Sequence, residues 1–372
     1  MRIVFNAHNL VIGGGLSVGL GVIQSLYTIV EEDEIHIFLP RHRRYNFLSN
    51  QKIKIHYLPR ILTGFLIGRL FINWYLSYKV WKIKPDGIFS MGNYAIPSHY
   101  KQLLLLQWPY AVYPESIVWQ RMTLWDFFRR KIRQFIFQAN LKYAIALTVQ
   151  THVMKERVEK YIKFKRRIYI VESSSLYLKN QQLNRKYEPS NPEETKLLFC
   201  LSEYYSHKNL EIFIPLAELI KNQKLNYQIL ITIHPETIEA KKLLRNVEKK
   251  ELNEIIINLG RIQQSEAITM LGKCDALLMP TLLESYGLPY LEAAQSGIPI
   301  FTSDLDFAHD MNGDGAWYFN PLSAENILQT IQNAFNDPKL LKEKADKAFQ
   351  KASKVKSWEE ITGEYLKIIK SL

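Results

Sequence analysis

Apolar and polar positions along this chain alternate between two periods, one fitting short buried strands and the other fitting amphipathic helices. In the first half, strands are predicted at 2–7, 34–40, 53–58, 86–91, 101–106, 143–149 and 167–171, with helices near 15–29, 61–82, 115–138 and 151–162. Ser173 to Thr195 then breaks the pattern with Ser, Asn, Gln, Lys, Glu and two prolines, which reads as a linker. A second alternation places strands near 196–201, 227–233, 254–259, 275–280 and 298–302. Its helices fall near 209–222, 236–248, 265–272, 288–296 and 323–335, and the tail from Pro338 to Leu372 is helical in pattern. Repeated strand–helix alternation predicts α/β architecture with parallel sheets. A length of 372 residues accommodates two such domains, each with its own core.

Composition narrows the class. Hydrophobic residues make up 47% and charged residues 23%, the balance of a folded globular protein. Cys200 and Cys274 are far apart and read as reduced core residues, not as a disulfide or metal framework. The chain opens directly on a strand-like run, Met1-Arg2-Ile3-Val4-Phe5-Asn6, with no signal-peptide pattern, so a cytoplasmic location is expected. The net charge of +12 predicts an anionic partner. No helix-turn-helix, zinc-finger or aromatic RNA-binding signature favours nucleic acid. A pyrophosphate-containing ligand and an acidic membrane face account for the same charge.

The segment richest in chemistry is PTLLESYGLPYLEAAQSGIP, residues 280–299. It follows the strand-like Asp275–Pro280 and precedes the strand Ile298–Thr302. Pro289 suits a first helical turn and Gly297 the position just past a helix end. The unit is therefore strand, loop, helix, strand, and its loop belongs at the carboxyl edge of a parallel sheet, where ligands bind. Gly287 lets the backbone approach a ligand, and first-turn N–H groups hold phosphate. Glu284 then projects from the loop and Glu292 from the helix. The pattern P-T-x-x-E-S-Y-G-L-P-x-x-E-A-x-x-x-G-x-P resembles the E-x7-E signature of glycosyltransferase family 4, retaining enzymes of the GT-B fold.

That resemblance implies two Rossmann-like domains facing across a cleft, residues 1–175 for the acceptor and 190–355 for the nucleotide sugar. Residues 356–372 then form a last helix packing back on the first domain, with Trp358, Ile361, Tyr365, Ile368 and Ile369 as contact positions and Ser357 as its N-cap. The resemblance assigns Glu292 to the ribose hydroxyls and Glu284 to the donor sugar. Lys208, in Leu198–Leu210, resembles the family's Lys-Asn and takes the phosphate role, stabilising the leaving diphosphate together with the backbone amides of Gly287 and Leu288. Gly14 and Gly15 match the family's glycine-rich loop beside donor and acceptor.

The chain also departs from the family. Leu201-Ser202 stands where many members carry Gly-Arg, which makes Arg261 the candidate second cation by position. Gln107 stands where many have a histidine, and it hydrogen-bonds a hydroxyl but is no base. His8, at the end of the first strand, is the other acceptor-side candidate. Val11–Gly19 does not spell a dinucleotide fingerprint, because the sixth position counted from Gly13 is Val18. Asp304-Leu305-Asp306 spells D-x-D outside any expected context, and no His/Cys cluster has metal spacing, so neither a metal nor another cofactor is expected.

The function implied is transfer of a sugar, with retention and without a metal, from a nucleotide sugar to a saccharide or lipid-linked saccharide in bacterial cell-surface polysaccharide synthesis. A phosphorylase or nucleotide-sugar epimerase of the same fold and a non-enzymatic basic membrane protein remain alternatives. The segments Ile61–Trp81 and Arg121–Phe137 are aromatic and basic. Arg129, Arg130, Lys131 and Arg133 beside Trp125, Phe127 and Phe128 predict peripheral, salt-reversible attachment to an anionic inner membrane face. The competing reading makes these aromatics the core face of crossover helices.

Overall fold

The computed structural model describes residues 1–11, 13–59, 62, 66–176 and 194–372, with the backbone alone at 66–70 and Gln264. Most of the expected linker and the start of the helix expected at 61–82 lie outside these residues. The chain divides into two compact units.

The first unit is a seven-stranded parallel sheet in the order β3-β2-β1-β4-β5-β6-β7. Its strands are β1 (Arg2–Asn6), β2 (Glu34–Leu39), β3 (Ile53–Tyr57), β4 (Gly87–Ser90), β5 (Gln102–Leu105), β6 (Ala146–Val149) and β7 (Arg167–Ile170). The helices between them are α1 (Gly13–Ile29), α2 (Leu66–Ile83), α3 (Leu124–Asn140) and α4 (His152–Tyr161). The glycine cluster thus forms the opening turn of α1. β4, β5 and β6 are buried throughout, as continuous apolar runs covered on both faces require. Alternation sends Ile3 and Phe5 to one face and Val4 to the other, into separate clusters.

One element differs from its expectation. The helix expected over 115–138 begins only at Leu124, where Thr123 accepts a cap bond from the Asp126 amide. The residues before it form a 3-10 turn, Ile117–Arg121, and Glu115–Met122 belongs to the second unit, interrupting the boundary drawn at 1–175.

The second unit is a six-stranded parallel sheet in the order β10-β9-β8-β11-β12-β13. It comprises β8 (Lys196–Cys200), α5 (Phe213–Asn222), β9 (Tyr227–Ile231), α6 (Ile238–Lys249), β10 (Ile256–Asn258), α7 (Gln264–Leu271) and β11 (Ala276–Met279). α8 (Leu288–Gln295), β12 (Ile300–Ser303), α9 (Asp306–Asn312), β13 (Trp317–Phe319), α10 (Ala324–Phe335) and α11 (Pro338–Ala352) complete it. β13 was not expected. At three residues it is too short for a period-2 signal, and it pairs in register with β12 through Phe301 opposite Trp317. Leu198 and Cys200 pack on one face and Phe199 on the other. Cys200 and Cys274 are buried free thiols, each pushed up to about 12 by burial.

The helical tail is two helices, α11 and then α12 (Trp358–Ser371), and α12 lies in the first unit. Ser357 and Glu360 form a reciprocal capping box at its start. Trp358, Ile361, Tyr365, Ile368 and Ile369 are all buried in the core cluster of α1, β1 and β2. The Tyr365 ring stands 4.4 Å from that of Phe89. Gly21 makes room, since a Cβ there would fall 2.3 Å from Trp358 Cε2.

Candidate functional site

In each sheet the chain builds outward from a central strand in one direction and then in the other. The reversals fall between β1 and β4, and between β8 and β11. Connections leave such a switch point on opposite faces and open a crevice at the carboxyl ends of the strands. The predicted side chains fall at these two edges.

In the second unit, Lys208 ends the 3-10 turn Ser206–Lys208 after β8, and Glu284 lies in the loop after β11. Lys208 Nζ forms an ion pair and hydrogen bond with Glu284 Oε1, each side chain only 13% exposed. Charges held this far from water retain strong mutual attraction. The two loops are stitched together beneath the pair. The His207 carbonyl accepts from the Leu282 amide at 2.7 Å and from Thr281 Oγ1 at 3.1 Å. Ser303 Oγ, at the end of β12, donates to the Thr281 carbonyl at 2.6 Å.

Asn209 is the hub of this stitching. It adopts the left-handed conformation, φ 56° and ψ 36°, which Asn tolerates better than most residues. Its buried side-chain amide donates to the carbonyls of Pro280 at 3.2 Å and Pro321 at 2.7 Å. Its Oδ1 accepts from the Arg121 guanidinium. Three strand-end loops and the Ile117–Arg121 turn therefore converge on the residue next to Lys208. Sequence reading quoted the Lys-Asn pair but gave Asn209 no role. An Asn directly before a helical run, in a position needing positive φ, was the available signal.

Gly287 opens α8 at φ 80°, with Leu288 and Pro289 as its first residues. Tyr290 lies beneath, fully buried, with Oη 2.7 Å from Thr302 Oγ1. Burial, and then the nearby Glu284 charge, raise the Tyr290 hydroxyl well above its usual range, so it stays neutral. Glu292 is 3% exposed on α8, and its carbonyl accepts from Ser296 Oγ at 2.8 Å. A carboxylate buried in a helix costs folding energy unless satisfied, unlike an ordinary surface glutamate. Arg261 follows β10 and pairs through Nε with Glu203 Oε1 at 3.2 Å. Glu203 stands directly after Leu201-Ser202, so the arginine is held beside the loop that lacks its own.

In the first unit, His8 follows β1 and its Nδ1 is 2.8 Å from Asn6 Oδ1. Asn6 Nδ2 donates to Ser90 Oγ at 3.2 Å, and Ser90 donates to Gln102 Oε1 at 2.7 Å. This buried chain fixes the Asn6 amide, so its oxygen faces the imidazole. His8 Nδ1 then carries the proton and Nε2 the lone pair. Burial lowers the His8 pKa to about 4, so the ring is neutral near neutral pH. Gln107 lies across the same edge, its backbone N–H donating to Asn93 Oδ1 at 2.6 Å. A Cβ on Gly15 would stand 3.6 Å from Gln107 Oε1, placing the start of α1 beside Gln107. Gly14, one residue earlier, is exposed. Asn93, also at positive φ, was missed from sequence.

Elsewhere, Asp304 is exposed and bonded to His309 Nε2 at 2.6 Å, and Asp306 opens α9. Among the described residues no group of three or more His, Cys, Asp or Glu could hold a metal ion, and no helix is long and apolar enough to cross a membrane.

Residues 181–354, within the second unit, match the family model of glycosyl transferases group 1. The chain is 23% identical over 211 residues to the O-antigen chain mannosyltransferase RfbU of Salmonella typhimurium, a match covering 56% of each protein. The chain thus spans about half the length of the curated relatives it matches. Among solved structures, it aligns over its full length with sucrose-phosphate synthase of Thermosynechococcus elongatus, TM-score 0.76 at 13% identity over 98% of that chain. It aligns likewise with Anabaena Alr3699/HepE in complex with UDP and glucose, TM-score 0.70 at 14% identity over 100% of that chain. These likenesses show a GT-B fold of two Rossmann-like domains.

Proposed function

We propose that this protein is a retaining glycosyltransferase that moves a sugar from a nucleotide-sugar donor to a saccharide or lipid-linked saccharide during cell-surface polysaccharide synthesis. The observation that carries the reading is the water-poor Lys208–Glu284 pair at the switch edge of the second unit, with the buried Glu292 about one turn into the helix that follows the Glu284 loop. The group 1 match over the same residues and the O-antigen relative support it.

On this reading the donor diphosphate competes with Glu284 for the Lys208 ammonium. Lys208 then neutralises the charge that develops on the leaving diphosphate, with the amides at the Gly287–Leu288 helix start and Arg261 assisting. Released from Lys208, Glu284 accepts hydrogen bonds from the donor sugar hydroxyls, while Glu292 holds the ribose. His8 and Gln107, at the edge of the first unit, bind acceptor hydroxyls, His8 through the Nε2 lone pair. The phosphate-facing groups are cations and amides, so the reaction proceeds without a divalent ion.

The test is calorimetry against nucleotide-activated sugars, beginning with mannose donors because of the RfbU relative, followed by product analysis with and without acceptor. Donor binding and acceptor-dependent product sustain the reading. Product formed with phosphate or water alone makes the protein a phosphorylase or epimerase. Failure to bind any nucleotide sugar overturns it, and abolition of activity by EDTA with rescue by magnesium or manganese overturns the metal-free step.

A further inference from the structure

The helix Leu124–Asn140 is built inside out. Its polar side faces the protein: the Arg130 guanidinium stacks over the buried Tyr110 ring at 4.1 Å. Arg133 stacks over Trp108 at 4.5 Å and donates to Tyr94 Oη at 3.0 Å. Its apolar side faces outward. Leu124, Trp125, Phe128, Ile132, Phe135 and Ile136 are exposed by 41% at the least and 79% at the most. Their spacing of one, four, eight, eleven and twelve places them on one helical face. Single exposed apolar residues are ordinary, but six large ones in one stripe mark an interaction surface.

α2 repeats the theme. Ile72, Leu76 and Val80 pack on the sheet, while Phe71, Trp74, Tyr78 and Trp81 are exposed. Trp74, Tyr78 and Trp81 stack in series at 6.2 Å spacings, with Lys82 Nζ 4.8 Å over the Tyr78 ring. β3 to β4 and β5 to β6 travel the same way across the sheet, so right-handed crossovers put α2 and α3 on one face.

We propose that this face of the first unit docks on an anionic lipid bilayer by inserting the α3 stripe, with the α2 aromatics lying in the interfacial layer. Tryptophan, tyrosine and long cationic side chains beside an apolar stripe suit the bilayer interface, where rings sit at headgroup level and ammonium groups snorkel to phosphates. Arg129 and Lys131 flank the stripe on α3, and Lys79 and Lys82 flank that on α2. The charge of +12 complements an anionic surface and opposes pairing of two copies. With Arg130 and Arg133 turned inward, two cations of the basic run remain on the outer side, so apolar insertion dominates and salt weakens attachment only in part. The surface does not depend on the donor-site chemistry.

Co-sedimentation of the full chain with vesicles of phosphatidylcholine alone or mixed with phosphatidylglycerol, at low and high salt, tests this. The wild type is expected to sediment with the anionic vesicles and to remain largely bound at high salt. The triple variant Phe128→Ser, Ile132→Ser, Phe135→Ser is expected to lose about tenfold or more in partitioning, because it removes most of the buried apolar area. Its melting temperature should be unchanged, since the altered side chains are exposed, which separates lost docking from lost folding. Arg129→Gln with Lys131→Gln should increase salt sensitivity without abolishing binding. The proposal is overturned if the wild type does not sediment, if the triple variant sediments equally, or if high salt releases the wild type completely. It is also overturned if ultracentrifugation finds a wild-type dimer that the triple variant dissolves, which would make the occupant a second copy.

Discussion

Gly287 sits directly over the Tyr290 ring: a Cβ at Gly287 would fall 2.5 Å from Tyr290 Cδ2. The tyrosine holds that place through its bond to Thr302, so the loop carrying Glu284 can turn into α8 only with glycine at φ 80°. Gly287→Ala should therefore destabilise the protein by at least about 1–2 kcal/mol for the left-handed conformation alone, with the ring contact adding to it. Urea unfolding measures the loss, and an unchanged midpoint would show that the loop relaxes freely.

Asn209 supports a prediction that separates conformation from bonding. Asn209→Gly keeps the left-handed backbone but removes the bonds to Pro280 and Pro321. Asn209→Ala loses both. Two buried carbonyls left without donors cost about 1–3 kcal/mol each at most, so both variants should unfold earlier, Ala more than Gly. Because the same bonds position Lys208, the Gly variant should also lower kcat with little change in donor KM. Full kcat in Asn209→Gly would make the hub purely structural.

Much of the fold was legible because buried parallel strands announce themselves as short apolar runs bounded by turn residues. What escaped was set by distant partners. β13, at three residues, exists because β12 offers an open edge. Residues 115–121 read as helix by periodicity, yet Arg121 is drawn to Asn209, 88 positions away. That Lys208 and Glu284 share one edge was readable because their loops follow strands directly, and strand order brings β8 beside β11. The direction α3 faces was not readable. Its pattern gives an apolar face and a cationic face, and only Trp108, Tyr110 and Tyr94 decide that the arginines turn inward.

Lys208 and Glu292 should fail differently. On the proposed function, Glu292→Ala removes hydrogen bonds to hydroxyls present in ground and transition states alike, so donor affinity should fall by about 1.5–3 kcal/mol in calorimetry. On the same reading, Lys208→Ala removes a cation whose partner charge grows during bond cleavage, so kcat should fall more than affinity. Equal losses in both parameters for Lys208→Ala would remove its leaving-group role, and unchanged affinity in Glu292→Ala would remove that residue from the donor site.

The acid limb of stability should carry the signature of His8. Its pKa is lowered by burial from 6.5 to about 4, while the unfolded chain keeps the ordinary value. Between these values the unfolded state binds the proton and the folded state does not, so stability rises with pH across that window. The contribution is fully present above about 6.5 and drains away as pH falls to about 4, amounting to at most about 3 kcal/mol. His56, stacked on His36 and also lowered to about 4 by burial, acts in the same direction. Glu34 does not confuse the window, because Lys54, Arg2 and His36 hold its carboxyl near 2 and its loss falls below pH 4.5. Denaturant midpoints of wild type and His8→Gln, compared from pH 7.5 to 4, should therefore converge as pH falls. His8→Gln keeps a donor toward Asn6 Oδ1 but cannot titrate, so its midpoint should depend less on pH. Parallel curves for the two proteins would mean that His8 titrates alike in the folded and unfolded states, so that burial does not hold its ring neutral below pH 6.5.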